Sequence, residues 1–140
     1  MNIQFYLEEV RAKFASGQAT EHSYRPALEA LFSSIDPTLT VINEPKKTDA
    51  GMPDFLFQHG DVPVGWCEAK DVDKDVIKLE GYSSEQRKRY TGAFPNLIYT
   101  NVVDFKFIRT GEKVDRGGRH MATCNVGTLK EHAAGLDDDA

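Results

Sequence analysis

The sequence predicts an α/β domain, a mixed central sheet flanked by helices. Three observations predict it. Two stretches with helical apolar spacing fill the first 35 residues. Three runs of β-forming residues crowd between 40 and 70. A polar helical stretch follows, with two further β-runs before residue 110. Such an order, two helices, three strands, a helix and two strands, packs as one sheet with helices against its faces.

The elements follow in turn. Residues 3–15 read as a helix, with Phe5, Val10 and Phe14 on an apolar stripe and Gly17 as its stop. A second helix runs over 23–34, where Leu28, Leu31, Phe32 and Ile35 recur at helical spacing. Pro26 falls in its first turn, where a missing N–H costs nothing, and Asp36-Pro37 ends it. Thr40-Val41-Ile42 is the first strand, followed by a polar loop over 45–51. Residues 53–58 and 62–70 are the next two strands, joined through His59-Gly60-Asp61 as a hairpin. A third helix spans 76–90, broken near Gly81-Tyr82. Residues 96–100 form a buried strand, and 103–108 alternate as an edge or half-exposed one. The predicted organisation is a domain over 1–114, with N-terminal helices in 3–35 and a catalytic core in 40–110, then a linker or poorly ordered tail over 115–140.

Composition narrows the function classes. The 140 residues are 40% hydrophobic, enough for a core, and 28% charged, which favours solubility. No apolar run approaches the roughly 20 residues that span a bilayer. The N-terminus lacks the basic start and apolar stretch of a signal peptide. Cys67 and Cys124 make neither a metal pair nor a disulfide scaffold, so the expectation is a cytoplasmic protein without membrane partners. A net charge of −5 argues against holding nucleic acid by bulk electrostatics alone. The charge is uneven, however: Asp137-Asp138-Asp139 closes the chain, while Lys46-Lys47 and Arg87-Lys88-Arg89 are local basic clusters.

The chemistry concentrates on Asp54, Glu68 and Lys70. Strand side chains alternate faces, so Glu68 and Lys70 project together and Ala69 points away. Asp54 reaches the same side in the right hairpin register. Two carboxylates held close repel, and a bound cation removes that penalty. Hard oxygen ligands with open water positions favour Mg²⁺ or Mn²⁺ over zinc. Lys70 can then orient or deprotonate a water and offset charge on a phosphate. The bland alternative is a surface hairpin with solvated charges, because an acid-x-Lys tripeptide is common. Against it, Val64 to Cys67 is apolar, which places Glu68 and Lys70 at the end of a buried strand.

Two further groups need the same weighing. Glu21, Arg25 and Glu29 are spaced by four. As surface ion pairs they are worth about 0.2–0.5 kcal/mol each; as site residues, Glu21 faces the metal or its water and Arg25 a phosphate. Gln86 and Tyr90 also share a helical face, in Gln86-Arg87-Lys88-Arg89-Tyr90. They are either a helix end whose cations favour the dipole, or an amide and a phenol that reach a nucleotide while Arg87 and Lys88 attract the DNA backbone.

Together these segments resemble the PD-(D/E)xK nuclease superfamily, with Gly51-Met52-Pro53-Asp54 as its first motif, Glu68-Ala69-Lys70 as its second and Gln86…Tyr90 as a QxxxY element. More narrowly, Thr20 to Leu28, Asn43-Glu44-Pro45-Lys46 and Glu68-Ala69-Lys70-Asp71 resemble the N-terminal nuclease domain of single-polypeptide type ISP and type IIL restriction–modification enzymes. The resemblance covers about residues 20–110. It implies a restriction-endonuclease-like αβββαβ core and Mg²⁺-dependent cleavage of double-stranded DNA to 5′-phosphate and 3′-hydroxyl ends. It implies Asp54 and Glu68 as metal ligands with the Ala69 carbonyl as a third, Lys70 as the catalytic lysine, Glu21 as the helical acid, and Gln86 and Tyr90 as the accessory pair. It also implies methyltransferase and target-recognition domains in a parent polypeptide and dimerisation on DNA. No methyltransferase, helicase or recognition motif stands in these 140 residues, so the chain is either an excised domain or a stand-alone relative. A catalytically silent DNA-binding or adaptor module on the same fold is the competing reading, favoured by the net acidity. Other chemistries lack their motifs: there is no GxxxxGK[ST], GxGxxG or HExxH, and the four histidines are not spaced as zinc ligands.

Overall fold

The computed structural model describes residues 1–79, 84–109 and 119–129, with side chains omitted at 119–122. Helix α1 spans Ile3–Ala15, and the Asn2 side chain caps it by accepting from the Phe5 N–H at 2.9 Å. Gly17, at φ +71°, takes the left-handed turn that ends it. Its buried face is Tyr6, Leu7 and Val10. The expected stripe through Phe5 and Phe14 is one residue out of phase, and both side chains are exposed. A 3-10 turn over Glu21–Tyr24 leads straight into α2, Arg25–Ile35, with Pro26 in the first turn. Ala27, Leu28, Leu31 and Phe32 face the core, whereas Ile35, at the last turn, points outward.

Six strands form one sheet in chain order: β1 (Thr40–Asn43), β2 (Phe55–His59), β3 (Val62–Ala69), β4 (Asn96–Thr100), β5 (Asp104–Arg109) and β6 (Arg119–Asn125). Neighbours are antiparallel except β3 and β4, which run parallel. A parallel pair needs a crossover, and helix α3, Ser84–Ala93, lies within it. The expected helix over 76–90 is shorter: residues 72–79 are turns and bends, and the expected break at Gly81-Tyr82 falls outside the described residues.

Two expectations change here. Strand β5 is not an edge, because β6 pairs along its length from Asp104↔Asn125 to Arg109↔Arg119. Its alternating pattern reflects side chains meeting different layers on the two faces. By the same pairing, residues 119–125 belong to the sheet and not to a linker or tail, and Val126 and Leu129 extend the core beyond them. The weak apolar pattern of Arg119-His120-Met121 hid a strand held by backbone hydrogen bonds, which composition does not reveal.

Strand alternation sorts two cores. On one face, Phe55, Phe57, Cys67, Ala69 and Phe105 pack against α1 and α2, with Phe32 making edge-on contacts to Phe55, Phe57 and Phe105 at 5.0–6.3 Å. Tyr6 anchors this layer by donating its hydroxyl to the Val102 carbonyl at 2.6 Å. On the other face, Trp66, Leu97, Tyr99 and Ile108 meet Tyr90 of α3 and Phe94 just after it. Trp66 and Glu68 therefore share the α3 side, and Cys67 and Ala69 the α2 side. Among the described residues no helix is long and apolar enough to cross a membrane.

Candidate active site

Asp54 stands one residue before β2, and the backbone fixes it. Its N–H donates to the Cys67 carbonyl at 3.0 Å, and its carbonyl accepts from the Glu44 N–H at 2.8 Å. Both carboxylate oxygens are also engaged. Oδ2 accepts from the Ala69 N–H at 2.7 Å, and Oδ1 accepts from Arg25 Nη2. The β2–β3 register, Phe55↔Cys67 and Leu56↔Trp66, brings Asp54 level with Glu68.

Glu68 is only 4% exposed and faces Asp54 across the β2–β3 pairing. Burial first, and then the Asp54 charge, push its carboxyl up to about 8, against the pull of Lys70. Both effects favour the protonated acid. Lys70 Nζ lies 3.5 Å from Glu68 Oε2, and the Lys70 N–H continues the β3–β4 ladder by donating to the Thr100 carbonyl at 2.8 Å. The two carboxyls and the ammonium converge on one end of the sheet.

A second layer surrounds them. Tyr90 is buried, and burial followed by the Glu68 and Asp54 charges raises its phenol to about 12. Burial and Glu68 likewise raise Tyr99, with Arg87 opposing. Gly51 explains itself here: at φ +133°, a Cβ would come within 2.9 Å of the Tyr90 ring, so the loop needs glycine to close over α3. Arg89 Nε ties the same loop down by donating to the Ala50 carbonyl at 3.2 Å.

The other expected residues fall in different places. Arg25, expected on a phosphate, is buried against three carboxylates: Asp54, Glu44 at 3.3 Å and Glu21 at 3.7 Å. Glu21 thus meets the site through Arg25 and does not join the carboxyl pair. Gln86 sits half-buried one turn before Tyr90. Arg87 is half-buried, while Lys88 is exposed. Sequence reasoning missed Glu44 as a partner of Arg25. It stood only within the Asn43-Glu44-Pro45-Lys46 segment with no role assigned; it directly follows β1, and its backbone takes the left-handed conformation at φ +56°.

The described residues contain no group of three or more His, Cys, Asp or Glu set to hold a metal. A cation here would meet two carboxylates, with the remaining positions filled by a backbone carbonyl and water. That donor set fits Mg²⁺ or Mn²⁺ and not a structural zinc.

No family model and no curated protein matches the chain. Solved structures do. The chain aligns with a chain of the cryo-EM structure of a DrdV–DNA complex at a TM-score of 0.68 and 20% identity, covering 91% of this chain. It spans 12% of the length of that chain. The fold is restriction-endonuclease-like: a mixed α/β arrangement in which an α-β-β-β-α-β succession carries the paired carboxyls at the β2–β3 end.

Two outcomes follow from this geometry. Arg25→Met strands Asp54 without its cation and should destabilise the protein by ~3–5 kcal/mol in urea unfolding. Glu44→Gln, at a side chain 65% exposed, should cost under about 1 kcal/mol; equal losses would contradict the role given to Arg25. The raised Glu68 value sets a sign for pH. From the ordinary carboxylate range up to about 8 the folded state binds more protons than the unfolded one, so stability falls as pH rises through that window and levels off above it. Thermal unfolding of metal-free protein across the window should show this slope, and Glu68→Gln should flatten it.

Proposed function

We propose that the chain is a metal-dependent DNA endonuclease domain that hydrolyses phosphodiester bonds, the cleavage module of a restriction–modification enzyme. One observation carries the reading. Asp54 and Glu68, from neighbouring β segments, stand level in the β2–β3 register and largely buried, with the Lys70 ammonium 3.5 Å from Glu68. A surface hairpin would have no reason to force two acids together in a buried place. The fold shared with a protein solved on DNA supports nucleic acid as the substrate.

Asp54, Glu68 and the Ala69 carbonyl would hold Mg²⁺, or Mn²⁺ in its place. When bound, the ion supplies Lewis acidity at the phosphate and acidifies the attacking water. The protein does the rest. Glu68 would hold the ion as a carboxylate, its proton released to solvent. Arg25 and the Ala69 N–H keep Asp54 oriented. Lys70 aligns the water opposite the leaving 3′-oxygen and offsets the charge that builds on the phosphate. Water attack breaks the P–O3′ bond and leaves a 5′-phosphate and a 3′-hydroxyl. Tyr90 and Gln86 flank the substrate from α3, with Lys88 and Arg87 attracting its backbone. Double-strand cleavage then calls for two such domains meeting on DNA. If the chain is an excised domain, sequence choice and methylation would belong to other domains of the parent polypeptide.

A second reading has its own observation. Both Asp54 oxygens are already taken, by Arg25 and the Ala69 N–H, which suits a catalytically silent DNA-binding or adaptor module. Calorimetry with Mg²⁺ or Mn²⁺ separates the two: a nuclease binds the ion and loses it in Asp54→Asn, and an adaptor shows no such difference. Plasmid nicking gives the catalytic test. Lys70→Ala should lower the Mg²⁺-dependent rate by about 10²–10⁴-fold, the usual worth of a proton-handling group. Equal nicking by both proteins would remove Lys70 from the mechanism.

A further inference from the structure

Two basic clusters stand far apart in the chain, Lys46-Lys47 and Arg87-Lys88-Arg89. The fold joins them. Arg89 Nε donates to the Ala50 carbonyl at 3.2 Å, and the Tyr90 ring seats against Gly51, where a Cβ would come within 2.9 Å of it. A tight turn fixes the tip of the same loop. Thr48 and Gly51 exchange backbone hydrogen bonds at 2.8 and 3.1 Å, and the Thr48 hydroxyl donates to the Gly51 carbonyl at 2.7 Å. Lys46, Lys47, Lys88 and Arg89 are all exposed along this seam. The cleavage chemistry uses neither lysine of the loop.

The seam acts as one patch of charge. Lys47 is three residues from Ala50, so under about 11 Å of chain separates it from the helix contact. That is about one Debye length at 0.1 M salt, and the two clusters act on an anion together. Asp49 and Glu85 are the acids of these two segments, and five cations outnumber them. The whole chain, by contrast, carries −5. A positive strip on an acidic protein steers a polyanion to one place. That place is beside the carboxyls, because Gly51 stands three residues before Asp54. With the loop shut on α3, the strip is a ridge for a backbone to lie along.

We infer that Lys46 and Lys47 of the loop, with Lys88 and Arg89 of α3, form a ridge that holds the phosphate backbone of duplex DNA beside the scissile position, without regard to sequence. The inference rests on the cleavage reading for DNA as the ligand, and adds to it a surface outside the reacting centre. Duplex is the form that fits. It carries one negative charge per about 1.7 Å of axis, so several phosphates can meet the cations of both elements at once. Such contacts set the position of the duplex and leave base choice to other groups. Arg89 also pins the loop lysines in place through Ala50.

Fluorescence anisotropy of a DNA duplex in calcium buffer, over a range of KCl, tests this. Each lost phosphate contact lowers the slope of log K against log salt by about 0.9, so Lys46→Ala/Lys47→Ala should lower it by about 1.8. Over the decade from 1 M to 0.1 M salt that amounts to about 60-fold in affinity. Arg109→Ala removes an exposed cation at the opposite end of the sheet and should change neither quantity. In plasmid nicking the double variant should raise KM and keep kcat, because it touches none of the reacting groups. Should the double variant fail to fold by circular dichroism, Lys88→Ala should lower the slope by about 0.9. Unchanged slope and affinity in a folded ridge variant overturn the inference, as does an equal loss in Arg109→Ala. Duplex binding and nicking that ignore the ridge leave the cleavage reading standing, whereas no binding of duplex by the wild type overturns both.

Discussion

Everything at the site depends on two acids being held together by strand pairing. The β2–β3 register leaves Asp54 level with Glu68, and neither can retreat. Asp54 is bound through its own backbone at both N–H and carbonyl, and Glu68 is flanked by the buried Cys67 and Ala69. Like charges so placed in a poorly solvated setting cannot both stay ionised. The protein resolves this in two ways. Arg25 neutralises Asp54 from the α2 side, and Glu68 keeps its proton with Lys70 alongside. The second arrangement is the replaceable one, since a divalent cation could relieve the repulsion in place of the proton.

The fold turns this pairing into a surface feature. The α1–α2 layer packs one face of the sheet and delivers Arg25 from the first turn of α2. The α3 layer packs the other and delivers Tyr90. The loop from Glu44 to Pro53 closes between them, held by Gly51 on Tyr90 and by Arg89 on Ala50. Each layer thus contributes to stability and to one wall of the site, which is why the site lies at the end of the sheet and not on its open face.

Much of this was legible in the sequence, for definite reasons. Alternation along Val64 to Lys70 separates Glu68 and Lys70 from Cys67 and Ala69, and the structure keeps them apart in that way. The Gly60 turn fixes the hairpin, and the hairpin sets Asp54 opposite Glu68. Helix α2 showed itself through Leu28, Leu31 and Phe32. What stayed hidden was long-range. Arg25 on Asp54 joins positions 29 apart, and a basic residue in a first helical turn reads as surface until its partner is known. Phe5 and Phe14 misled because an apolar stripe one residue out of phase looks equally periodic over a short helix. Strand β6 was missed because His120, Thr123 and Asn125 give no apolar alternation; its place comes from the free edge that β5 offers.

The account stands or falls on whether the paired carboxyls accept a cation. The most direct measurement is the anomalous signal from a crystal grown or soaked with Mn²⁺. The account predicts one peak between Asp54 and Glu68 within bonding distance of both. Saturating Mn²⁺ with no peak there would contradict it.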